Sequence, residues 1–187
     1  DWDRNLVAKK DGDWWVLFSR SSGLKIRLSF EMLWKEGYTK AGSPELIDLK
    51  ITDSCTHCCK FCYQNSSVDG VVGNHDFVHF VIPELFEELK LFEVAIGGGE
   101  PTSFPEFGYL LERFRNRGIV PNFSTRSLSW MNDPIESKHI LESIGKFAYS
   151  VTSGVEVSRL LGVLTNYKID HKIEKDLLFF DSQTISL

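Results

Sequence analysis

The chain has 187 residues, of which 42% are hydrophobic and 25% are charged, and its formal net charge is −5. This length and composition predict one globular domain with a substantial core. The negative charge gives no sign of a nucleic-acid partner, although a local basic patch would be compatible with one. No apolar run approaches the length of a membrane span and no signal peptide is visible, so the sequence predicts no membrane partner.

The first 30 residues predict a small antiparallel β unit. Two apolar segments, residues 6–9 and 14–18, flank Asp11-Gly12, a typical hairpin turn. A third segment, residues 24–28, alternates apolar and polar side chains. We therefore expect a β-hairpin or a three-stranded meander that forms an N-terminal extension over residues 1–40.

From residue 41 onward, strand-like and helix-like segments alternate, which is typical of an α/β fold. One helix is predicted to begin at Pro83 and to bury Leu85, Phe86 and Leu89. A later, amphipathic helix over residues 105–117 is predicted to bury its phenylalanines and leucines. The predicted strands lie at residues 46–51, 93–96, 120–123, 147–151 and 167–174, and an irregular or β-like tail follows at residues 176–187.

All four cysteines lie between Cys55 and Cys62, in the octet Cys-Thr-His-Cys-Cys-Lys-Phe-Cys. A disulfide framework would spread its cysteines, and neighbouring cysteines do not bridge without strain, so metal binding is the remaining interpretation. Two adjacent C-x-x-C pairs would suit a Cys₄ zinc site, although such sites usually take their pairs from separate turns. Read instead as C-x₃-C-x₂-C, Cys55, Cys59 and Cys62 suit a four-iron cluster with one open iron and leave Cys58 spare.

The second interpretation resembles the signature of the radical S-adenosylmethionine (radical SAM) enzymes, C-x₃-C-x-φ-C with an aromatic φ. Cys55, Cys59, Phe61 and Cys62 match it. The run Gly-Gly-Gly-Glu-Pro-Thr at residues 97–102 follows the next predicted strand and resembles the GGE motif of the same family. The two motifs together make this resemblance specific.

The resemblance covers roughly residues 45–175 and implies an α/β fold, a partial (β/α) barrel of the radical SAM type over residues 41–187. The small antiparallel β unit would precede it. The chain after Cys62 is short for a full core of six strand–helix units. We therefore expect either a compact, incomplete barrel or a missing C-terminal portion.

The same resemblance implies an enzyme that uses a [4Fe–4S] cluster on Cys55, Cys59 and Cys62 to cleave S-adenosyl-L-methionine reductively and to abstract hydrogen from a substrate. The Cys-Tyr-Gln-Asn run after the cluster favours a peptide or protein substrate. A reductant such as flavodoxin or ferredoxin would supply the electron. Such a cluster is oxygen-sensitive, and together with the clustered cysteines it predicts a cytoplasmic protein. The alternatives are a non-catalytic metal-binding module and a degenerate family member with a binding or regulatory role.

The GGGEPT motif implies contacts to the methionine part of the cofactor. Gly98 and Gly99 have no Cβ to block a ligand that approaches the backbone. The Glu100 carboxylate would hold the amino group, since opposite charges attract and the hydrogen bond is charge-assisted. Pro101 stiffens the turn.

The resemblance implies further contacts to the rest of the cofactor. Phe61 and Tyr63 flank the third cysteine and are expected beside the cluster and the adenine. Polar residues at the ends of later strands, and one arginine on the helix after the fourth strand, complete the expected set: Ser124, Ser150, Thr152 and Arg159.

Four other residues have two interpretations each. His57 lies in the cysteine loop and is expected to be solvated or to support the site rather than to bind metal. His75 and His79 are spaced i, i+4, so on a helix they would share one face, either as a hydrogen-bonded or exposed pair or as metal ligands. Arg126 is either a solvated loop residue or a partner for the cofactor carboxylate or an acidic substrate.

Overall fold

The computed structural model describes residues 5–29, 41–60, 62–151, 154–166 and 183–186. These residues form a three-stranded sheet, β1-β2-β3, and a five-stranded sheet with its strands in the order β4-β5-β6-β7-β8. The strands are β1 Leu6–Asp11, β2 Trp14–Ser19, β3 Lys25–Ser29, β4 Leu46–Thr52, β5 Glu93–Gly98, β6 Val120–Thr125, β7 Lys146–Val151 and β8 Gln183–Ser186. The α-helices are α1 Ile82–Glu88, α2 Phe107–Asn116, α3 Pro134–Ser143 and α4 Gly154–Asn166.

Strands β4 to β7 are parallel and consecutive, and β8 pairs antiparallel with β7. Helices connect the parallel strands, which is the order of a partial (β/α) barrel. The predicted α/β fold is confirmed. The predicted strand at residues 167–174 lies outside the described residues, and β8 falls in the predicted β-like tail. In the part of the chain described here, no helix has the length and apolar character that crossing a membrane requires.

The core of the large sheet follows the predicted periodicity in α2 but not in α1. Helix α2 buries Phe107, Leu110, Leu111 and Phe114 completely. Helix α1 has Pro83 in its first turn, as predicted, and a π-helical turn, Phe77–Val81, precedes it and extends the helical run back to His75. In this wider turn Ile82 N–H donates to the Phe77 carbonyl, and Pro83, which has no N–H, is accommodated within the helix. The buried side chains of this helical run include the predicted Phe86 together with Val78, His79, Ile82 and Pro83, whereas the predicted Leu85 and Leu89 are exposed.

The N-terminal residues form the predicted antiparallel unit as a three-stranded meander. Gly12 lies in the first turn with φ +60°, a conformation that favours glycine. Val16 and Phe18 on β2 are fully buried against Phe92 and Val120, at the amino-terminal ends of β5 and β6. The small sheet thus covers the end of the barrel opposite the cysteine loop. The predicted domain boundary at residue 40 lies beside residues outside the described part and stays a prediction.

Candidate functional site

A pocket of about 460 Å³ opens at the carboxyl ends of the parallel strands. Its wall is formed by the cysteine loop after β4, the glycine segment at residues 97–99, and the ends of β6 and β7. Loops at this edge of parallel sheets are where α/β proteins place their chemistry. The fold therefore brings the two sequence motifs to one cavity.

The cysteine loop is held by the polar segment that follows it. Asp53 N–H donates to the Val71 carbonyl at 2.7 Å, and Cys55 N–H donates to the Ser67 carbonyl at 2.8 Å. A Cβ on Gly70 would collide with the Asp53 carbonyl, so glycine permits this close approach. The long loop between Tyr63 and the next helix thus serves as a backbone support for the cysteines.

The three cysteines of the C-x₃-C-x₂-C pattern line the pocket together. Cys55, Cys59 and Cys62 are half-buried, and the Cys62 N–H donates to the Cys59 carbonyl at 3.1 Å in a tight turn. Cys58 is exposed, adopts φ +47°, and is not among the described residues that line the pocket. The fold separates the spare thiol from the other three.

The surroundings of the thiols shift their pKa values in opposite directions. Burial would raise the pKa of Cys62, but hydrogen bonds from the backbone N–H groups of residues 64–66 outweigh it and lower the pKa. Burial raises the pKa of Cys55, and the nearby Glu100 carboxylate adds to this effect. The thiolate is the form that binds metal, and the environment of Cys62 favours this form even without a metal.

The glycine segment packs directly on the end of β4. Gly99 N–H donates to the Thr52 carbonyl at 2.6 Å, and a Cβ on Gly98 would collide with that same oxygen. A Cβ on Gly99 would collide with the Ser54 carbonyl. Only at Gly97 would a Cβ meet open space, with nothing within 4 Å. Gly98 and Gly99 line the pocket with their backbone, but their missing Cβ atoms make room for β4 and the cysteine loop rather than for a ligand.

Glu100 is 5% exposed and its carboxylate is held by several donors. Its Oε1 accepts hydrogen bonds from the hydroxyls of Thr102 at 2.7 Å and Thr125 at 2.6 Å, and from the Thr102 N–H at 3.2 Å. Its Oε2 accepts one from the Arg126 N–H at 3.0 Å and lies 3.5 Å from His57 Nε2. Oε1 is saturated, and Oε2 keeps capacity for a further donor. His57 lies beside this carboxylate, and its role stays a prediction.

Arg126 joins two parts of the site and is not a solvated loop residue. One of its terminal N–H groups donates to Cys59 Sγ at 3.1 Å and another to Glu156 Oε1, on α4, also at 3.1 Å. Burial alone would lower the pKa of Arg126, but the hydrogen bond to Cys59 and the charge of Glu156 outweigh it and raise the pKa. Arg126 thus connects the cysteine loop to α4.

The sequence did not reveal the partners of Glu100 and Arg126. Thr125 is the last residue of β6, and its hydroxyl donates to Glu100. Glu156 carries no motif that marks it in the sequence. Only the position of Thr125 and Arg126 at a strand end indicated a functional role.

The remaining predicted site residues are distributed unevenly around the pocket. Ser124 and Ser150 line it, Tyr63 lies at its rim and is 93% exposed, and Pro101 is buried in a 3₁₀ turn, Pro101–Ser103. Arg159 is exposed on α4 and is not among the described residues that line the pocket. Phe61 and Thr152 lie outside the described residues. The cofactor contacts of all these residues stay predictions.

Taken together, the pocket combines three thiols with an uncovered backbone at Gly97 and a carboxylate oxygen that still accepts a hydrogen bond. Three thiols can hold a thiolate-bound metal centre. The Glu100 oxygen can accept from an ammonium group beside that centre.

Comparison with protein families matches residues 49–156 to the Radical SAM superfamily. The matched range contains the cysteine loop, the glycine segment and β5, β6 and β7. Comparison with curated proteins gave no match.

Among solved structures, the fold is similar to that of Streptococcus suis SuiB. SuiB bound to the precursor peptide SuiA has a TM-score of 0.53 and 12% identity, over 74% of this chain and 44% of that chain. SuiB bound to S-adenosylmethionine has a TM-score of 0.53 and 14% identity over the same shares of the two chains. A further SuiB structure has a TM-score of 0.55 and 13% identity, over 89% of this chain and 60% of that chain. The likeness is one of fold, and this chain spans between 44% and 60% of the SuiB chains.

Proposed function

This chain belongs to the radical SAM superfamily of enzymes, and from this premise we propose that it cleaves S-adenosyl-L-methionine reductively and abstracts hydrogen from a peptide or protein. Membership in the superfamily implies S-adenosylmethionine and an iron–sulfur cluster. The finer proposal is a [4Fe–4S] cluster on Cys55, Cys59 and Cys62. One observation carries it: these three thiols line the same pocket as Gly97 and Glu100, and Cys58 does not.

The chemistry of the donor set supports this cluster. A closed four-iron cluster takes four thiolates, so three leave one iron for another ligand. The N–H groups around Cys62 lower the pKa of this thiol and so favour the thiolate, which is the ligating form. The residues present therefore fit the group that the superfamily implies.

When bound, the cluster and S-adenosylmethionine supply the difficult chemistry, which is reductive cleavage of the sulfonium and abstraction of a hydrogen atom. The chain's own residues would bind the cofactor and orient it. Glu100 Oε2 would accept a hydrogen bond from the ammonium group of the methionine part, while Thr102 and Thr125 hold the carboxylate in place through Oε1. Gly97 leaves room beside the backbone for the ligand.

The substrate class and the electron donor belong to the same proposal. The Cys-Tyr-Gln-Asn run and the GGGEPT motif resemble peptide- and protein-modifying members, and a protein of similar fold, SuiB, has been crystallised with a precursor peptide. A reductant such as flavodoxin or ferredoxin in the cytoplasm would supply the electron.

Electron paramagnetic resonance tests the proposal on anaerobically reconstituted, dithionite-reduced protein, with and without S-adenosylmethionine. We expect a [4Fe–4S]⁺ signal that changes when the cofactor is added, because the cofactor binds the open iron. Zinc at about one per chain without sulfide would instead indicate a non-catalytic metal module. A cluster signal that the cofactor leaves unchanged would indicate a degenerate member.

We expect Glu100→Gln to weaken S-adenosylmethionine binding by about 10- to 100-fold, because a charge-assisted hydrogen bond is replaced by a neutral one. Isothermal titration calorimetry on the reconstituted protein measures this affinity, and the iron content should stay that of the wild type. Thr102→Val is the matched control. It removes one hydroxyl from the saturated Oε1 and keeps the charge, so its affinity should fall by less than about threefold. Equal affinities of Glu100→Gln and the wild type would contradict the role of Glu100.

A further inference from the structure

A second group of metal-binding side chains lies apart from the cysteines. One ring nitrogen of His75, one of His79 and a carboxylate oxygen of Glu106 all lie within 4.8 Å of one another. The two histidines occupy the beginning of the helix that leads into α1, and Glu106 immediately precedes α2. None of the three is among the described residues that line the cysteine pocket.

His79 has a ring nitrogen that no described group satisfies. The residue is 1% exposed, and its Nε2 lies 3.0 Å from the Pro105 carbonyl oxygen. Because a carbonyl only accepts, Nε2 carries the proton, and Nδ1 of the neutral ring has a free lone pair. Nδ1 is buried and has no hydrogen-bond partner among the described residues.

His75 is oriented in the way that metal-bound histidines are. Its Nδ1 lies 3.1 Å from Asp76 Oδ1, and its Nε2 lies 3.3 Å from Glu106 Oε2. When Asp76 accepts the Nδ1 proton, Nε2 presents a lone pair toward Glu106, and a cation between them relieves the repulsion. Two ligands on a tetrahedral zinc, with bonds of about 2.0–2.1 Å, lie about 3.3 Å apart. The separation of Nε2 and Oε2 already has this length.

We propose that His75, His79 and Glu106 bind a divalent transition metal of the zinc type, with Asp76 as the positioning residue of His75. Two imidazoles and a carboxylate are donors that suit zinc, and three ligands leave a fourth position for water. Glu106 and Asp76 bring two negative charges to the group, and Arg113 near His79 brings one positive charge.

The bound metal ties together two segments that support the cofactor pocket. The helix that begins at His75 follows the loop that holds the cysteines, and Glu106 follows the 3₁₀ turn Pro101–Ser103, in which the GGGEPT motif ends. Phe104 lies between them, with its ring centroid 5.7 Å from that of His79. The ion would thus stabilise the position of the glycine segment, whether or not the cysteines carry a cluster.

Equilibrium dialysis against Zn²⁺ tests the proposal on the reconstituted protein, with zinc and iron counted together by mass spectrometry. The variants His75→Gln and Glu106→Gln affect partly exposed side chains, and circular dichroism checks that they are folded. His139→Gln is the matched control. His139 forms a similar pair with Glu112, at 3.1 Å, but belongs to no group of three ligands among the described residues. All variants keep the cysteines, so any zinc that the thiols bind contributes equally to each variant and does not affect the differences between them.

We expect the wild type and His139→Gln to bind one zinc more per chain than His75→Gln and Glu106→Gln. Asp76→Asn should weaken the affinity for this zinc by about 10- to 100-fold, as loss of such an orienting carboxylate typically does. Zinc should also raise the melting temperature of the wild type and not that of His75→Gln. If His75→Gln and Glu106→Gln bind as much zinc as the wild type, the group is a hydrogen-bonded ion pair and the proposal is wrong.

Discussion

Cys59→Ala is expected to abolish assembly of the iron–sulfur cluster, whereas Cys58→Ala is expected to leave it intact. Cys59 is half-buried, lines the pocket and accepts a hydrogen bond from Arg126 at 3.1 Å. Without it, only Cys55 and Cys62 remain in the pocket, and two thiolates do not hold a four-iron cluster with one open iron. Cys58 is exposed and is not among the described residues that line the pocket. Its removal should therefore take no ligand from the cluster.

Iron and acid-labile sulfide per chain, measured after anaerobic reconstitution, check this pair of variants. Cys58→Ala is the control for Cys59→Ala, because both remove one sulfur from neighbouring positions of the same loop. An equal loss in the two variants would mean that all four thiols bind metal. In that case the assignment of Cys55, Cys59 and Cys62 is wrong, and zinc without sulfide should be sought.

Gly98→Ala is expected to destabilise the protein by more than about 4 kcal/mol, an effect that single substitutions rarely reach. Gly98 has φ +126°, which residues with a side chain rarely adopt. Its added Cβ would also meet the carbonyl oxygen of Thr52, a backbone atom of the paired strand that cannot rotate away. Urea denaturation monitored by circular dichroism measures the free energy of unfolding.

Gly97→Ala is the matched control and has a different expected result. Its Cβ meets nothing within 4 Å, so the free energy of unfolding should change by less than about 1 kcal/mol. The methyl group enters the pocket, and S-adenosylmethionine should bind about tenfold more weakly or worse. If both variants lose the same stability, the glycine segment serves the fold alone. If Gly98→Ala is as stable as the wild type, the close packing of β5 on β4 is not what requires this glycine.

Features that depend on neighbouring residues were predictable from the sequence. Asp11-Gly12 predicted the first hairpin turn, and the stripe in α2 predicted its buried face, because turn chemistry and helical periodicity act over a few residues. The C-x₃-C-x₂-C and GGGEPT patterns each occupy fewer than about ten residues and indicated the superfamily. The order of strands and helices then predicted the α/β fold.

The buried face of helix α1 shows where local reasoning failed. Pro83 lies in the first turn of α1, as predicted, but a π-helical turn before it extends the helical run back to His75. The extra width changes which side chains face the core, so Leu85 and Leu89 are exposed. No spacing in the sequence predicts such a turn.

The support of the site depends on contacts between residues that are distant in the sequence. Thr125 and Arg126 reach Glu100 across 25 and 26 residues of chain, and Arg126 reaches Cys59 across 67. These contacts exist because parallel strands end at one edge of the sheet, where residues distant in sequence become neighbours. The same closeness makes Gly98 necessary for packing, and it places Glu106 beside two histidines that the sequence alone could only pair with each other.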